Sequence, residues 1–80
     1  MKPGDLVRRE GYSIYLYDSP ELTTPASILM EQMETIATVL ETIPAKYTLR
    51  GKLVAQEKIK LLHPSGRFGW SYSSHYTTIG

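Results

Sequence analysis

A chain of 80 residues has room for a single domain spanning 1–80, and at this size only roughly 60–65% of the unfolded surface is buried, so it cannot wrap a large cofactor. It contains no cysteine, which excludes a disulfide framework, a thiolate metal site and a cysteine nucleophile. The formal net charge of +1 conceals an asymmetry, with three basic and seven acidic residues in 1–41 against six basic and one acidic in 42–80. Halves on different faces would make the surface bipolar, and interleaved halves would mix the charge.

In chain order, strand signals outnumber helix signals. Met1 to Asp5 carries neither the apolar core nor the cleavage site of a signal peptide, and no apolar stretch exceeds a few residues, so a soluble cytoplasmic protein with no membrane partner is expected. Asp5-Leu6-Val7-Arg8 follows a Pro3-Gly4 turn, and Ser13-Ile14-Tyr15-Leu16-Tyr17 is rich in β-branched and aromatic types; both read as short strands. By alternation Ile14 and Leu16 share the core face and Tyr15 and Tyr17 the exposed one. Pro20 and Pro25, among Ser19, Thr23 and Thr24, make 18–27 a loop with at most one helical turn.

The stretch from Ala26 to Thr42 is ambiguous. Leu29, Met33, Ile36, Leu40 and Ile43 recur at spacings of 4, 3, 4 and 3, and Thr24-Pro25 fits an N-cap and first helical residue, which together describe a helix packed on a small antiparallel sheet. Thr35, Ile36, Thr38, Val39, Thr42 and Ile43 are β-branched and fit a pleated surface better. The reading adopted is a strand over 35–42, with Ile28 to Met33 on a preceding strand or a single helical turn. Pro44 stops either element. Ala45 to Lys52 reads as a polar loop. In Leu53 to Leu62 the alternation of Lys58, Lys60 and Leu62 with Ile59 and Leu61 marks a sheet with one wet face. His63-Pro64-Ser65-Gly66 reads as a turn that joins this strand to Arg67–Tyr72 as a hairpin.

Short strands in meander order, closed by Gly66, Gly69-Trp70, Ser73-Ser74, His75-Tyr76 and Ile79, resemble the end of SH3 domains, the bacterial form most closely. Leu16-Tyr17-Asp18 is similar to the Leu-Tyr-Asp that opens the first long loop of that family, and Glu34 to Leu40 falls where its second strand stands. Met1 to Arg8 resembles the start of small SH3-like proteins encoded by bacterial viruses, those of cyanobacteria especially. The resemblance implies an all-β fold, a small SH3-like barrel of about five short strands, in the cytoplasm of a bacterial host. It also implies that the first long loop sits beside the closing turn. There Tyr15, Tyr17, Trp70, Tyr72 and His75 would converge on one ligand-binding face. Two departures argue against Pro-rich peptides as the ligand. Lys58-Ile59-Lys60 stands near the position of the family's groove indole, and Tyr72 occupies that of its proline. His75 falls where the family has its groove tyrosine, and Tyr76 at a site that is usually buried.

Catalytic constellations are absent from the sequence. His63 and His75 lack the i, i+4 spacing and companion ligands of a metal site and read as structural. Glu31 and Glu34 could share one side of a helical turn, but no cleft is implied that would push their pKa values apart. No Gly-rich phosphate loop or nucleophile elbow occurs. The expectation is a non-enzyme without a cofactor. Three functions fit: a protein-interaction module using the aromatic face, a nucleic-acid binder, or a structural protein that self-associates. For nucleic acid, Lys46, Arg50, Lys52, Lys58, Lys60 and Arg67 would meet phosphates while Tyr47, Trp70 or Tyr72 stacks on bases. The sequence pI near 8.0 lies below the range of a dedicated binder of that kind.

Overall fold

The computed structural model describes residues 1–31 and 35–79. Seven strands form one curled antiparallel sheet, a half-barrel: β1 Leu6–Arg9, β2 Ile14–Tyr17, β3 Pro25–Met30, β4 Ile36–Leu49, β5 Lys52–Leu62, β6 Phe68–Tyr72 and β7 Tyr76–Ile79. A single 3₁₀ turn, Ser73–His75, separates β6 from β7. The order across the sheet is β3-β2-β6-β5-β4-β1-β7. This order interleaves the acidic and basic halves of the chain, because β1 lies between β4 and β7 and β2 lies beside β6.

The concave side of the sheet holds the core. Val7, Leu16, Ile28, Met30, Ala37, Val39, Ile59, Leu61 and Tyr76 form one buried cluster, and each large aliphatic among them contributes about 1.5–3 kcal/mol by leaving water. The alternation is visible along the strands: Ala37 and Val39 point in while Ile36 and Leu40 remain exposed, and Ile59 and Leu61 point in from β5. Inward and outward residues thus follow the period of two that pleating imposes.

Several expectations are corrected. The sheet has seven strands, not about five, because Pro25–Met30 and, after the 3₁₀ turn, Tyr76–Ile79 are strands of their own. β3 starts at Pro25, inside the stretch read as the loop 18–27. The helix over 26–42 is absent among the described residues, where 26–30 and 36–42 are strand; β-branched side chains prevail over the helical spacing because a pleated surface lets them pack on both neighbours. Met33 and Glu34 lie outside the described residues.

The largest correction concerns Ala45 to Lys52. Strand β4 runs on to Leu49, and β5 pairs with it from Lys52 onward. The reversal is a two-residue turn in which Arg50 has φ 51° and Gly51 φ 77°, the pair of left-handed residues that matches the twist of a tight hairpin. Pro44 does not stop β4. It sits where β4 has a partner on one side only, which is where a strand tolerates a missing N–H.

The His63 turn does more than reverse the chain. The amide of Ser65 donates to His63 Nδ1 at 3.0 Å, so the ring proton sits on Nε2, which donates to the Leu29 carbonyl at 3.1 Å. Arg67 donates to the Ser27 carbonyl at 3.0 Å. Two main-chain acceptors of the edge strand β3 are therefore satisfied by side chains from this turn, which blunts an edge that would otherwise template pairing.

Candidate functional site

Where β2 meets β6, the sheet is drawn tight. Tyr17 lies opposite Trp70, and a Cβ on Gly69 would come within 2.6 Å of Leu16 Cβ and 3.0 Å of the Tyr17 carbonyl oxygen. Glycine at 69 is what allows β2 to lie on β6. The first long loop is closed above this crossing by Asp18 N–H donating to the Thr24 carbonyl at 3.0 Å and Leu22 N–H to Ser19 at 3.1 Å. These bonds turn the loop back toward the 3₁₀ turn.

The outcome is an open cleft of about 420 Å³ between the loop and the 3₁₀ turn. Tyr15, Tyr17 and Ile14 line it from β2, Leu22 and Pro25 from the loop, and Ser71, Tyr72 and His75 from the other wall. Tyr72 and His75 meet edge to face, with ring centroids 6.3 Å apart, an arrangement that aromatic quadrupoles favour. None of the described lining residues is a carboxylate, lysine or arginine.

The end of the 3₁₀ turn is fixed from below. The buried Arg9 donates to the carbonyls of Glu10 and His75, the latter at 2.8 Å, and Glu10 N–H donates to the same His75 carbonyl at 3.1 Å. Burial pushes the His75 imidazole below the usual histidine value, and the nearby Arg9 guanidinium adds to that shift. A neutral ring at the mouth of the cleft is what this environment favours. Burial likewise pushes the Tyr76 phenol up, so it stays protonated.

Of the five aromatic residues that sequence reasoning assigned to a binding face, the structure brings Tyr15, Tyr17, Tyr72 and His75 to the cleft. Trp70 is only 7% exposed and does not line it. Its indole is buried at the β2–β6 crossing opposite Tyr17, although alternation places it on the same face of β6 as Tyr72. The sequence reading missed Leu22, whose signal is a lone aliphatic among Glu21, Thr23 and Thr24; Leu22 is held at φ 57° with its side chain in the cleft.

The six basic residues considered for nucleic acid are not gathered on one face. Lys46, Arg50 and Lys52 are exposed on the outer β4–β5 hairpin. Lys58 is half-buried and, with Ala45, Lys46, Gln56 and Tyr72, lines a second cavity of about 410 Å³ at the base of that hairpin. The Lys60 ammonium stands 4.2 Å from the centroid of the Phe68 ring, a cation–π contact. Arg67 is engaged with Ser27. The side chain of Tyr47 lies outside the described residues. Among the described residues no group of three or more His, Cys, Asp or Glu could hold a metal ion, and no helix is long and apolar enough to cross a membrane. Compared with protein-family models, with curated proteins and with solved structures, the chain matches none.

Proposed function

We propose that this chain is a small non-catalytic binding module with an SH3-like barrel, which holds an apolar segment of a protein partner in the aromatic cleft. The observation that carries the reading is the convergence of Tyr15, Tyr17, Tyr72 and His75, from strand β2 and from the β6–3₁₀ corner, on one open cleft with no charged side chain among its described lining residues. Tyrosine rings supply contact area at low entropic cost and keep a polar edge for hydrogen bonding. An uncharged aromatic cleft favours aliphatic or proline side chains over a phosphate or a cluster of charges. The SH3-like reading is supported by the order of the strands, since the segment after the 3₁₀ turn returns to pair with β1, and by the placement of the first long loop against that turn. The absence of a groove indole makes a protein surface loop a better ligand than a polyproline helix. Self-association through the β3 edge is disfavoured by the Arg67 and His63 bonds that occupy its carbonyls. The resemblance of the opening residues to virus-encoded proteins supports a partner from a bacterial host.

The test is affinity capture from host lysate with and without nuclease, using wild type, Tyr15→Ala and Tyr17→Ala. A protein retained after nuclease treatment, and lost by either variant while that variant still unfolds cooperatively, supports the cleft. Capture that is unchanged in both folded variants rejects it.

A further inference from the structure

None of the described side chains in the outer part of the β4–β5 hairpin belongs to the core cluster. Strand β1 pairs with β4 only over Ile36–Thr38 and β6 pairs with β5 only over Lys58–Leu62. From Pro44 opposite Glu57 to Leu49 opposite Lys52, the two strands pair only with each other; at the base of this stretch Glu57 is ion-paired with the N-terminal amine of Met1 and Gln56 donates to Ser74 Oγ. Six cross-strand pairs extend about 17 Å at the usual rise per residue, in a molecule whose longest dimension is 39 Å. A two-stranded ribbon is at best marginally stable in water, so a well-paired one whose described side chains from Lys46 to Leu53 are all exposed calls for a function.

Charge and apolar exposure both single it out. From Thr42 to Gln56 the chain has three cations, Lys46, Arg50 and Lys52, and no acidic residue. Leu49 and Leu53 are 53% and 66% exposed, among the most exposed aliphatic residues described. Cross-strand partners share a face, so Leu49 and Lys52 project from one side, and Leu53, on the side of Thr48, projects from the other together with Lys46. A leucine and a cation on each face fit a ribbon enclosed from both sides. Arg50 stands at the very tip, ahead of both leucines.

We propose that this ribbon grips double-stranded nucleic acid. The major groove is about 12 Å wide and admits a two-stranded β-ribbon. In it, Lys46 and Lys52 reach the flanking phosphates, the Arg50 tip enters first, and Leu49 and Leu53 pack on sugars and base edges. A polyanion is the charge complement of an arm that beyond Glu57 at its base carries three cations and no carboxylate. The position of Arg50 decides against a lipid surface: burying either leucine in a bilayer would first drive the apical guanidinium below the headgroups, which is costly. The ribbon is separate from the aromatic cleft, because none of the described side chains of 46–53 lines that cleft, so the two sites succeed or fail independently.

The experiment is fluorescence anisotropy of the whole chain with a mixed-sequence DNA duplex. Two phosphate contacts predict an affinity about 12-fold weaker at about 200 mM salt than at about 50 mM. Lys46→Gln/Arg50→Asn/Lys52→Gln, with an asparagine that tolerates the turn, loses both the binding and its salt dependence. Leu49→Ser/Leu53→Ser weakens binding with the salt slope kept, and Tyr15→Ala leaves it unchanged. No binding by wild type at the lower salt, or equal binding by the triple variant, overturns the proposal. So does the absence of duplex binding together with leucine-dependent capture by anionic phospholipid vesicles, or with a leucine-dependent dimer in sedimentation; these outcomes assign the ribbon to a lipid surface or to a second copy of the chain.

Discussion

The half-barrel and the outer hairpin are made from the same two strands. β4 and β5 run through both, yet their inner and outer parts obey different rules. In the inner part, Ala37, Val39, Ile59 and Leu61 are at most 1% exposed and each strand has a neighbour on either side. In the outer part each strand has one neighbour, and the leucines face solvent. The difference shows that backbone pairing alone extends a strand only when a well-made turn holds it. Here the Arg50-Gly51 reversal does so, while side-chain burial stabilises the sheet where strands are flanked on both sides.

The comparison is broken most severely at the β2–β6 crossing. Gly69→Val places its side chain against Leu16 Cβ and the Tyr17 carbonyl, neither of which can move without displacing β2 from the core. The variant is expected to lose cooperative thermal unfolding. A folded Gly69→Val protein with a wild-type circular dichroism spectrum would mean that β2 does not depend on this close approach.

A matched pair of leucines sharpens it next. Leu16 is fully buried and Leu53 is 66% exposed. Denaturant titration should show Leu16→Ala losing about 2–5 kcal/mol and Leu53→Ala staying within about 0.5 kcal/mol of wild type. Equal losses would show that the ribbon packs on the barrel.

Acid acts on the barrel side. The native His75 lies below its ordinary value of 6.5, so the folded protein binds fewer protons than the unfolded chain once the pH enters that range. Its contribution to stability is therefore fully present above about pH 6.5 and is lost as pH falls through the lower native value. The unfolding midpoint should drop on acidification over that interval, and less so in His75→Gln, as a pH series of thermal melts would reveal.

The smallest effect is expected at the turn. Arg50 adopts a left-handed conformation at φ 51°, and asparagine tolerates it better, with a gain below about 1 kcal/mol. Arg50→Asn should slow amide hydrogen exchange at Leu49 and Lys52 without moving the global unfolding midpoint, because ribbon opening is a local event. A shift of the midpoint instead would join the ribbon to the cooperative unit.

How much of this was legible beforehand varies along the chain for physical reasons. Strand β2 was readable because Tyr15 and Tyr17 alternate with Ile14 and Leu16, and the β5–β6 hairpin because Pro64 and Gly66 sit where a turn needs them. The cleft was mostly readable from its aromatic residues. Trp70 was not, since on β6 an indole beside Gly69 is directed by the crossing of two strands distant in sequence. Leu22 was not, because a loop aliphatic carries no periodicity. The ribbon was hidden because Lys46, Thr48, Arg50 and Lys52 are polar, and polarity marks a loop equally with a strand that has nothing to pack against.

By itself, then, the sequence determined the all-β class, the short inner strands with their alternating faces, and the pool of aromatic residues for a site, all of which depend on local preference and period. Tertiary structure alone decided which aromatic rings share the cleft, that β1 closes between β4 and β7, and that β4 and β5 continue past the barrel as a paired arm. Those features depend on contacts between residues far apart in the chain, such as Tyr17 with Trp70 and Arg9 with His75, whose geometry no local pattern encodes.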